Sequence, residues 1–195
     1  AEFDIKRISQ NSSWPGHANC IAVNLRANVD LLGSQGASFT ISGLTGVNVR
    51  SQTSVRLIDD LGNDMATWFQ QASWKQGIGE LALRLRADVT LAAGQELNFT
   101  FCVVNSHIAQ QSPTILVEAN GGAVIAPSPM DKAEGEMAPM RIDAARMSVA
   151  DIGQTSPWPG ANNHILVTLV PNFDDIDGLL TLGGFPQPFL QSSFS

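Results

Sequence analysis

Two stretches of the chain, RISQNSSWPGHANCIAVNLRANVD at residues 7–30 and DIGQTSPWPGANNHILVTLVPNFD at residues 151–174, are copies of one another. An offset of 144 residues aligns Ile8 with Ile152, and positions 8–30 then match 152–174 at 12 of 23 residues without a gap. Chance would give about one or two matches, so the chain contains an internal duplication.

The residues shared by the two copies predict their local structure. Trp-Pro-Gly is a turn signal, because proline presets φ and glycine accepts positive φ. Beyond the turn Ile21, Val23 and Leu25 alternate with other residues, which places all three on one face of a strand. The framework of the repeat is therefore the turn with its following asparagine: Trp14, Pro15, Gly16 and Asn19 in the first copy, and Trp158, Pro159, Gly160 and Asn163 in the second.

Further alternating segments in the first copy predict about seven strands, the number and spacing of a sandwich. We expect an all-β fold, with an immunoglobulin-like β-sandwich over residues 5–122. Residues 121–140 hold three prolines, three glycines and four charged residues. This composition predicts a linker over residues 123–148. The alternative is an ordered loop that clasps the first domain.

The second copy, over residues 149–195, is a partial repeat. Only 45 residues remain from Asp151 onward, and two or three strands do not bury a core alone. We therefore expect this segment to pack on the first domain, to pair with another molecule, or to begin a further unit of a longer array.

Composition excludes two classes of partner. The formal net charge is −7, and the only lysines are Lys6, Lys75 and Lys132, so no basic patch predicts binding to nucleic acid or to an anionic membrane. No apolar run approaches the roughly 20 residues that span a bilayer. With 44% hydrophobic residues the chain has enough apolar material for a core.

Two cysteines and two sequons predict a secreted or cell-surface glycoprotein. Asn11 and Asn98 begin Asn-x-Ser/Thr triplets and are the expected glycosylation sites. Cys20 and Cys102 are out of phase with the inward-facing residues of their strands, so we expect a disulfide on an outer face between neighbouring strands. Closing this loop should stabilise the fold by roughly 4 kcal/mol.

The sequence carries no signature of catalysis. His17, His107 and His164 are the only histidines, and His17 and His164 lie at or beside the repeat turns. No Gly-x-Ser-x-Gly elbow is present. We predict no catalytic residue and no cofactor. An acidic loop leaves calcium at Asp174, Asp175 and Asp177 as the alternative to a solvated turn.

Four tryptophans make carbohydrate binding a candidate function, because exposed indoles stack on sugar rings. Trp14 and Trp158 recur in the repeat, so we expect them to pack beneath the turn. Trp68 and Trp74 lie in a predicted edge hairpin and are the candidate glycan-binding residues. A polysaccharide-active enzyme with a facing pair of carboxylates stays open as a further alternative.

The motif Ile-x-Gln-x-Ser-x-Trp-Pro-Gly-x-x-Asn, followed by an alternating strand, Asn-x-Asp-Leu and Thr-Ile-Ser-Gly-Leu-Thr-Gly, resembles a tandem unit of very large predicted surface proteins of algae and other protists. The resemblance extends to LNFTFCVVN at residues 97–105 and to residues 109–121. It implies repetition and an extracellular setting, without a chemical activity. Cys20, Cys102 and the charged linker depart from that pattern.

Together these patterns predict a non-enzymatic structural module of an extracellular or cell-surface repeat protein. Its partners would be neighbouring repeats, or other copies of itself, meeting at the Trp-Pro-Gly turns. Glycans are the alternative partners.

Overall fold

The computed structural model of the chain describes residues 1–173 and 181–184, and it confirms an all-β fold. Single 3₁₀ turns at residues 33–35, 65–67, 76–78 and 135–137 interrupt the strands. The strands are β1 (Phe3–Gln10), β2 (Ala18–Ala27), β3 (Leu31–Leu32), β4 (Ser38–Ser42), β5 (Phe69–Lys75), β6 (Glu80–Leu85), β7 (Thr90–Leu91), β8 (Glu96–Val104), β9 (Leu116–Asn120), β10 (Ile125–Pro129), β11 (Asp131–Lys132), β12 (Met147–Gln154) and β13 (Ile165–Pro171).

Two sheets form a β-sandwich from the first part of the chain. One has the strand order β11-β1-β2-β8 and the other β10-β9-β4-β6-β5, and a short β3–β7 pair lies beside them. Antiparallel pairing dominates, with β1 against β2 and β2 against β8. The sandwich prediction is thus confirmed, whereas its immunoglobulin-like connectivity stays a prediction.

The core lies between the two sheets and follows the alternation seen in the sequence. Strands β2 and β8 turn every second side chain inward, and so do β4, β6 and β9 on the facing sheet. Phe69 and Phe99 meet edge to face with ring centroids 6.4 Å apart. Each fully buried large apolar side chain contributes about 2 to 3 kcal/mol of transfer free energy. The largest buried side chains include Phe39, Phe99, Phe101, Ile8, Ile21, Leu25, Leu31, Ile41, Leu81, Leu83 and Leu85.

The loop before β5 protects the outer edge of β8. Ile58 exchanges two backbone hydrogen bonds with Thr100, at 3.0 and 2.8 Å, and Asn48 N donates to the Val104 carbonyl at 2.8 Å. A covered edge cannot pair with a foreign strand. In the first copy, β8 is therefore held by β2 on one side and by this loop on the other.

Much of the predicted linker, residues 123–148, is part of the sandwich, so that boundary was wrong. β10 pairs with β9, and β11 pairs in parallel with β1. Met130, Met140 and Ile142 are buried, and Gln110 exchanges backbone hydrogen bonds with Ile142 at 2.9 Å. The alternative of an ordered segment clasping the first domain describes residues 125–143, and the sandwich ends near residue 143.

The second copy forms a hairpin of β12 and β13. These strands pair antiparallel, with Ile152 opposite Val167 and Gln154 opposite Ile165. At its base, the Asn172 Oδ1 accepts from Arg146 N at 2.8 Å and its Nδ2 donates to the Ala144 carbonyl at 3.1 Å. Most side chains of both strands are exposed. Within residues 1–173 and 181–184, no helix has the length and apolar character needed to cross a bilayer.

Candidate functional site

The Trp-Pro-Gly turn of the first copy is held by a buried polar network. Asn19 Nδ2 donates to Gln10 Oε1 and to Asn105 Oδ1, both at 2.9 Å. Asn105 Nδ2 in turn donates to the carbonyls of Ser12 and Trp14, at 3.1 and 3.0 Å. Because Gln10, Asn19 and Asn105 are all buried, these hydrogen bonds fix the turn against the end of β8.

The same network reaches the segment that follows β11. Gln10 Nε2 donates to the carbonyls of Glu136 and Arg141, at 3.0 and 2.9 Å. Ser13 Oγ donates to an Asp143 carboxylate oxygen at 2.9 Å, and Asp143 N donates to the Ser13 carbonyl at 2.8 Å. Hydrogen bonds thus hold the turn to the end of β8 on one side and to residues 136–143 on the other.

The second copy reproduces the internal geometry of this turn. Asn163 Nδ2 donates to Gln154 Oε1 at 2.9 Å, and its Oδ1 accepts from Ser156 N at 3.0 Å. Trp158 N donates to Ser156 Oγ at 3.3 Å, the same distance as between Trp14 N and Ser12 Oγ. Gly160 has φ +76°, where its counterpart in the first copy has +70°. The pairing register of β12 and β13 also equals that of β1 and β2 under the 144-residue offset.

The two copies differ in what covers them. Ile8 is 2% exposed and its counterpart Ile152 is 63% exposed; Ile21 is 0% exposed and Ile165 44%. The face of the first hairpin that packs into the core is therefore an open apolar face in the second, among the residues that the structure describes.

The outer face of the second hairpin is also more apolar than that of the first. Leu166 and Val170 stand where the first copy has Ala22 and Arg26. Leu166 is largely exposed. Exposed apolar residues on both faces of one small element are typical of an interaction surface.

The tryptophans do not occupy the positions expected from the sequence. Trp14 is 45% and Trp158 75% exposed, so the expectation that they pack beneath the turn was wrong. Trp74 is buried and its Nε1 donates to the Val49 carbonyl at 3.1 Å, so it presents no face to a sugar. Trp68 is half-buried and packs against the core. The exposed indoles are those of the repeat framework.

The disulfide prediction is confirmed. Cys20 of β2 and Cys102 of β8 lie directly opposite each other, with Cα atoms 4.0 Å apart, and form the bond on the outer face of their sheet. His164 takes the position of Cys20 in the second copy. The bond therefore ties β8 to the first hairpin alone.

The two predicted glycosylation sites lie in different surroundings. Asn11 is exposed beside the turn, and its Oδ1 accepts from Cys20 N at 2.7 Å. Asn98 is half-buried on the outer face of β8, opposite Asn24. It lines a shallow groove of about 600 Å³ together with Asp60 and neighbouring strand residues. Their modification stays a prediction.

Local hydrogen bonds lower the pKa of two carboxyl groups among the described residues. Asp59 accepts hydrogen bonds from Leu61 N, Asn63 N and Asn63 Nδ2, and those from Asn63 lower the pKa of its carboxyl. The Arg86 guanidinium likewise lowers the pKa of the Asp88 carboxyl through a hydrogen bond. Within residues 1–173 and 181–184, no three His, Cys, Asp or Glu side chains group as metal ligands. Asp174, Asp175 and Asp177 lie outside the described residues.

A smaller cleft adjoins the first turn. It has a volume of about 350 Å³ and is lined by Asn11, Trp14, His17 and Glu136 among others. Trp14 and His17 meet edge to face with ring centroids 5.7 Å apart, and the His17 Nδ1 lies 3.2 Å from Ser12 Oγ. The cleft thus combines one aromatic face with several hydrogen-bonding groups.

No protein-family model and no curated protein sequence matches the chain. Among solved structures, it is similar to a DUF4466 family protein from Parabacteroides merdae, with a TM-score of 0.34 and 9% sequence identity. The alignment covers 84% of this chain and 56% of that one, so the chain spans little more than half of that protein's length. At this level of similarity nothing about function is transferred.

Proposed function

We propose that this chain is a non-enzymatic structural module of an extracellular or cell-surface repeat protein, and that it assembles through the hairpin of its second copy. The proposal rests on one observation. The same hairpin occurs twice, buried in a sandwich in one copy and exposed in the other. The facing sheet covers this apolar face in the first copy. We therefore expect the same face of the second copy to bind a partner.

Two further features support an extracellular setting. A disulfide joins β2 to β8, and such bonds persist in oxidising compartments. The sequons at Asn11 and Asn98 fit a secretory route. Expression in a eukaryotic secretory host, followed by glycosidase digestion, should lower the mass of the secreted protein; an unchanged mass would contradict the glycoprotein part of the proposal.

Sedimentation velocity over a range of concentrations tests the assembly function. We expect the intact chain to associate as its concentration rises, because burying the inner face of the hairpin removes apolar surface from water. Ile165→Lys places a charge on that face and should return the chain to a monomer. Thr168→Lys adds the same charge on the opposite face, so a smaller effect of this variant assigns the contact to the inner face. A wild-type chain that stays monomeric throughout would contradict self-assembly through the hairpin.

A carbohydrate-binding function is the second candidate, because two indoles of the repeat are exposed. Trp14 borders a cleft with His17 and Glu136, and Trp158 is open to solvent. A glycan array with Trp14→Ala and Trp158→Ala variants tests this function. Trp68→Ala is the control, since that side chain packs against the core. Binding that survives both framework substitutions would argue against the turns as sugar sites.

A further inference from the structure

We propose that the edge of β13 opposite β12, which no strand of the described residues occupies, binds an extended segment with the sequence pattern of β8. This segment has an apolar side chain at every second position and ends in an asparagine that closes on the Trp-Pro-Gly turn. The inference rests on the proposed role of the second hairpin in assembly and names a strand partner for its edge. It is argued from what β8 does in the first copy.

In the first copy, alternate residues of β2 direct their backbone groups toward β8. Cys20 faces β1, since Asn11 N donates to its carbonyl at 3.2 Å, whereas His17 faces β8, since Asn105 N donates to its carbonyl at 3.0 Å. Hydrogen bonds of an antiparallel pair alternate along a strand. Ile21 and Val23 therefore bond to β8, opposite Phe101 and Phe99.

In the second copy, the equivalent groups point to an edge that no strand occupies among the described residues. His164 faces β12, because Thr155 N donates to its carbonyl at 3.0 Å. The same alternation turns the backbone groups of Ile165, Val167 and Leu169 to the opposite edge of β13. β12 and β13 form a two-stranded sheet in the part of the chain that the structure describes. Such an open edge is a template for strand addition.

Side chains on the hairpin specify which strand fits this edge. Ile165 and Val167 lie on the face that in the first copy is shared with Phe99 and Phe101, so an incoming strand with large apolar residues at alternate positions continues that face. The carbonyls of Ser156 and Trp158 correspond to those that accept from Asn105. An asparagine at the end of the added strand would reach them, as Asn105 does in the first copy.

The β8 strand of a second oxidised copy is not the occupant. It is cross-linked to its own β2 by the Cys20–Cys102 bond, and its outer edge is paired with the loop at Ile58. The partner is therefore a β8-type segment that is not already held in this way. The absence of a cysteine at position 164 agrees with a partner strand that is held by hydrogen bonds and packing alone.

Titration of the intact chain with a synthetic peptide of residues 96–106, carrying Cys102→Ser, tests the inference. The peptide has no tryptophan, so the fluorescence of Trp158 and isothermal calorimetry both report on binding. We expect saturable binding, and a loss of roughly fivefold or more for a peptide with Asn105→Ala, since that change removes hydrogen bonds to the turn.

Backbone methylation of the peptide separates edge pairing from unspecific apolar contact. N-methyl groups at Phe99 and Phe101 block the hydrogen bonds to β13 and should weaken binding by about tenfold or more. N-methyl groups at Asn98 and Thr100 point away from β13 and should change it by less than about threefold. Equal weakening by both patterns, or no binding of any peptide, would overturn the inference.

The two proposals fail in distinguishable ways. If the chain self-associates, loses this association with Ile165→Lys and does not bind the peptide, the assembly function is supported and the β8-type partner is refuted. A chain that binds the peptide with the expected methylation pattern, but stays monomeric alone, supports the partner and refutes self-assembly. A chain that does neither refutes both.

Discussion

Asn19→Ala and Asn163→Ala make the same change at equivalent positions of the two repeats. The side chain of Asn19 is fully buried, and its removal leaves three polar groups without their partner: Gln10 Oε1, Asn105 Oδ1 and Ser12 N. An unsatisfied buried group costs about 1 to 3 kcal/mol, so the two groups on buried residues, Gln10 Oε1 and Asn105 Oδ1, set a lower limit of about 2 kcal/mol. Asn163 makes the equivalent bonds to Gln154 and Ser156 at an exposed position.

Water replaces the lost partner in the second copy, so Asn163→Ala should change the free energy of unfolding by less than about 0.5 kcal/mol. Urea titration with the disulfide intact, followed by near-UV circular dichroism, measures both variants against the wild type. A change of about 2 kcal/mol corresponds to a fall in Tm of roughly 4 to 8 °C for a chain of this size.

Equal destabilisation by the two substitutions would refute this reasoning. It would mean that the second hairpin contributes as much as the first to the cooperative unit, which its exposed strands do not support. An unchanged midpoint for Asn19→Ala would refute the assigned hydrogen-bond network itself. Changes in the denaturant slope report any alteration of the unfolded state, and these are to be separated from changes in the midpoint.

Three further predictions concern the disulfide, the tryptophans and the Asp59 carboxyl. Replacing Cys20 and Cys102 by serine should lower the free energy of unfolding by about 4 kcal/mol on the loop-entropy model, as measured by denaturant titration; an unchanged midpoint would contradict it. Trp74→Ala should cost about 3 to 5 kcal/mol because it empties a core site, whereas Trp158→Ala should leave thermal stability unchanged, and comparable losses would exclude the burial assigned to the two indoles. The Asp59 carboxyl should titrate below 3.8 by NMR, since the amides of the loop stabilise its charged form. The stability that the charged Asp59 carboxylate contributes is present above pH 3.8 and is lost as the pH falls through the lowered pKa. A measured pKa at or above 3.8 would contradict this contribution.

The alternation of apolar residues predicted the parts of the fold that depend on period alone. Ile21, Val23 and Leu25 face the core as expected, and the phase of Cys20 and Cys102 correctly placed their disulfide on an outer face. A strand that is buried on one face has apolar residues at every second position. The position of a residue in this alternation therefore tells which face of the sheet it lies on.

The segment 125–143 could not be predicted because its burial depends on distant partners. Its prolines, glycines and charges are typical of a linker, yet Met130 N donates to the Ile115 carbonyl and Ile142 pairs with Gln110. Lys132 is held in the same way, with its Nζ donating to the carbonyls of Ser112 and Pro113. None of these contacts leaves a local periodic signal.

The tryptophans were misplaced for two separate physical reasons. In β5 the register shifts between Phe69 and Gln71, so the phase of Trp74 is not that of a regular strand, and the indole turns inward. At the turn of the first copy, Pro15 is buried and Trp14 is exposed. Recurrence of a residue in a repeat therefore indicates a shared requirement without stating that the residue is buried.

The parallel pairing of β1 with β11 has a mechanical consequence. Arg7 lies opposite Asp131, Ile8 lies opposite Lys132, and Ala133 N donates to the Ile8 carbonyl at 3.1 Å. When tension acts on the two ends of the sandwich, it draws these parallel strands in opposite directions along their common axis, so their hydrogen bonds are loaded in shear together rather than unzipped one after another. In a tethered chain pulled with optical tweezers, Ala133→Pro removes one of these bonds and should lower the rupture force, whereas an unaltered force would place the resistance elsewhere.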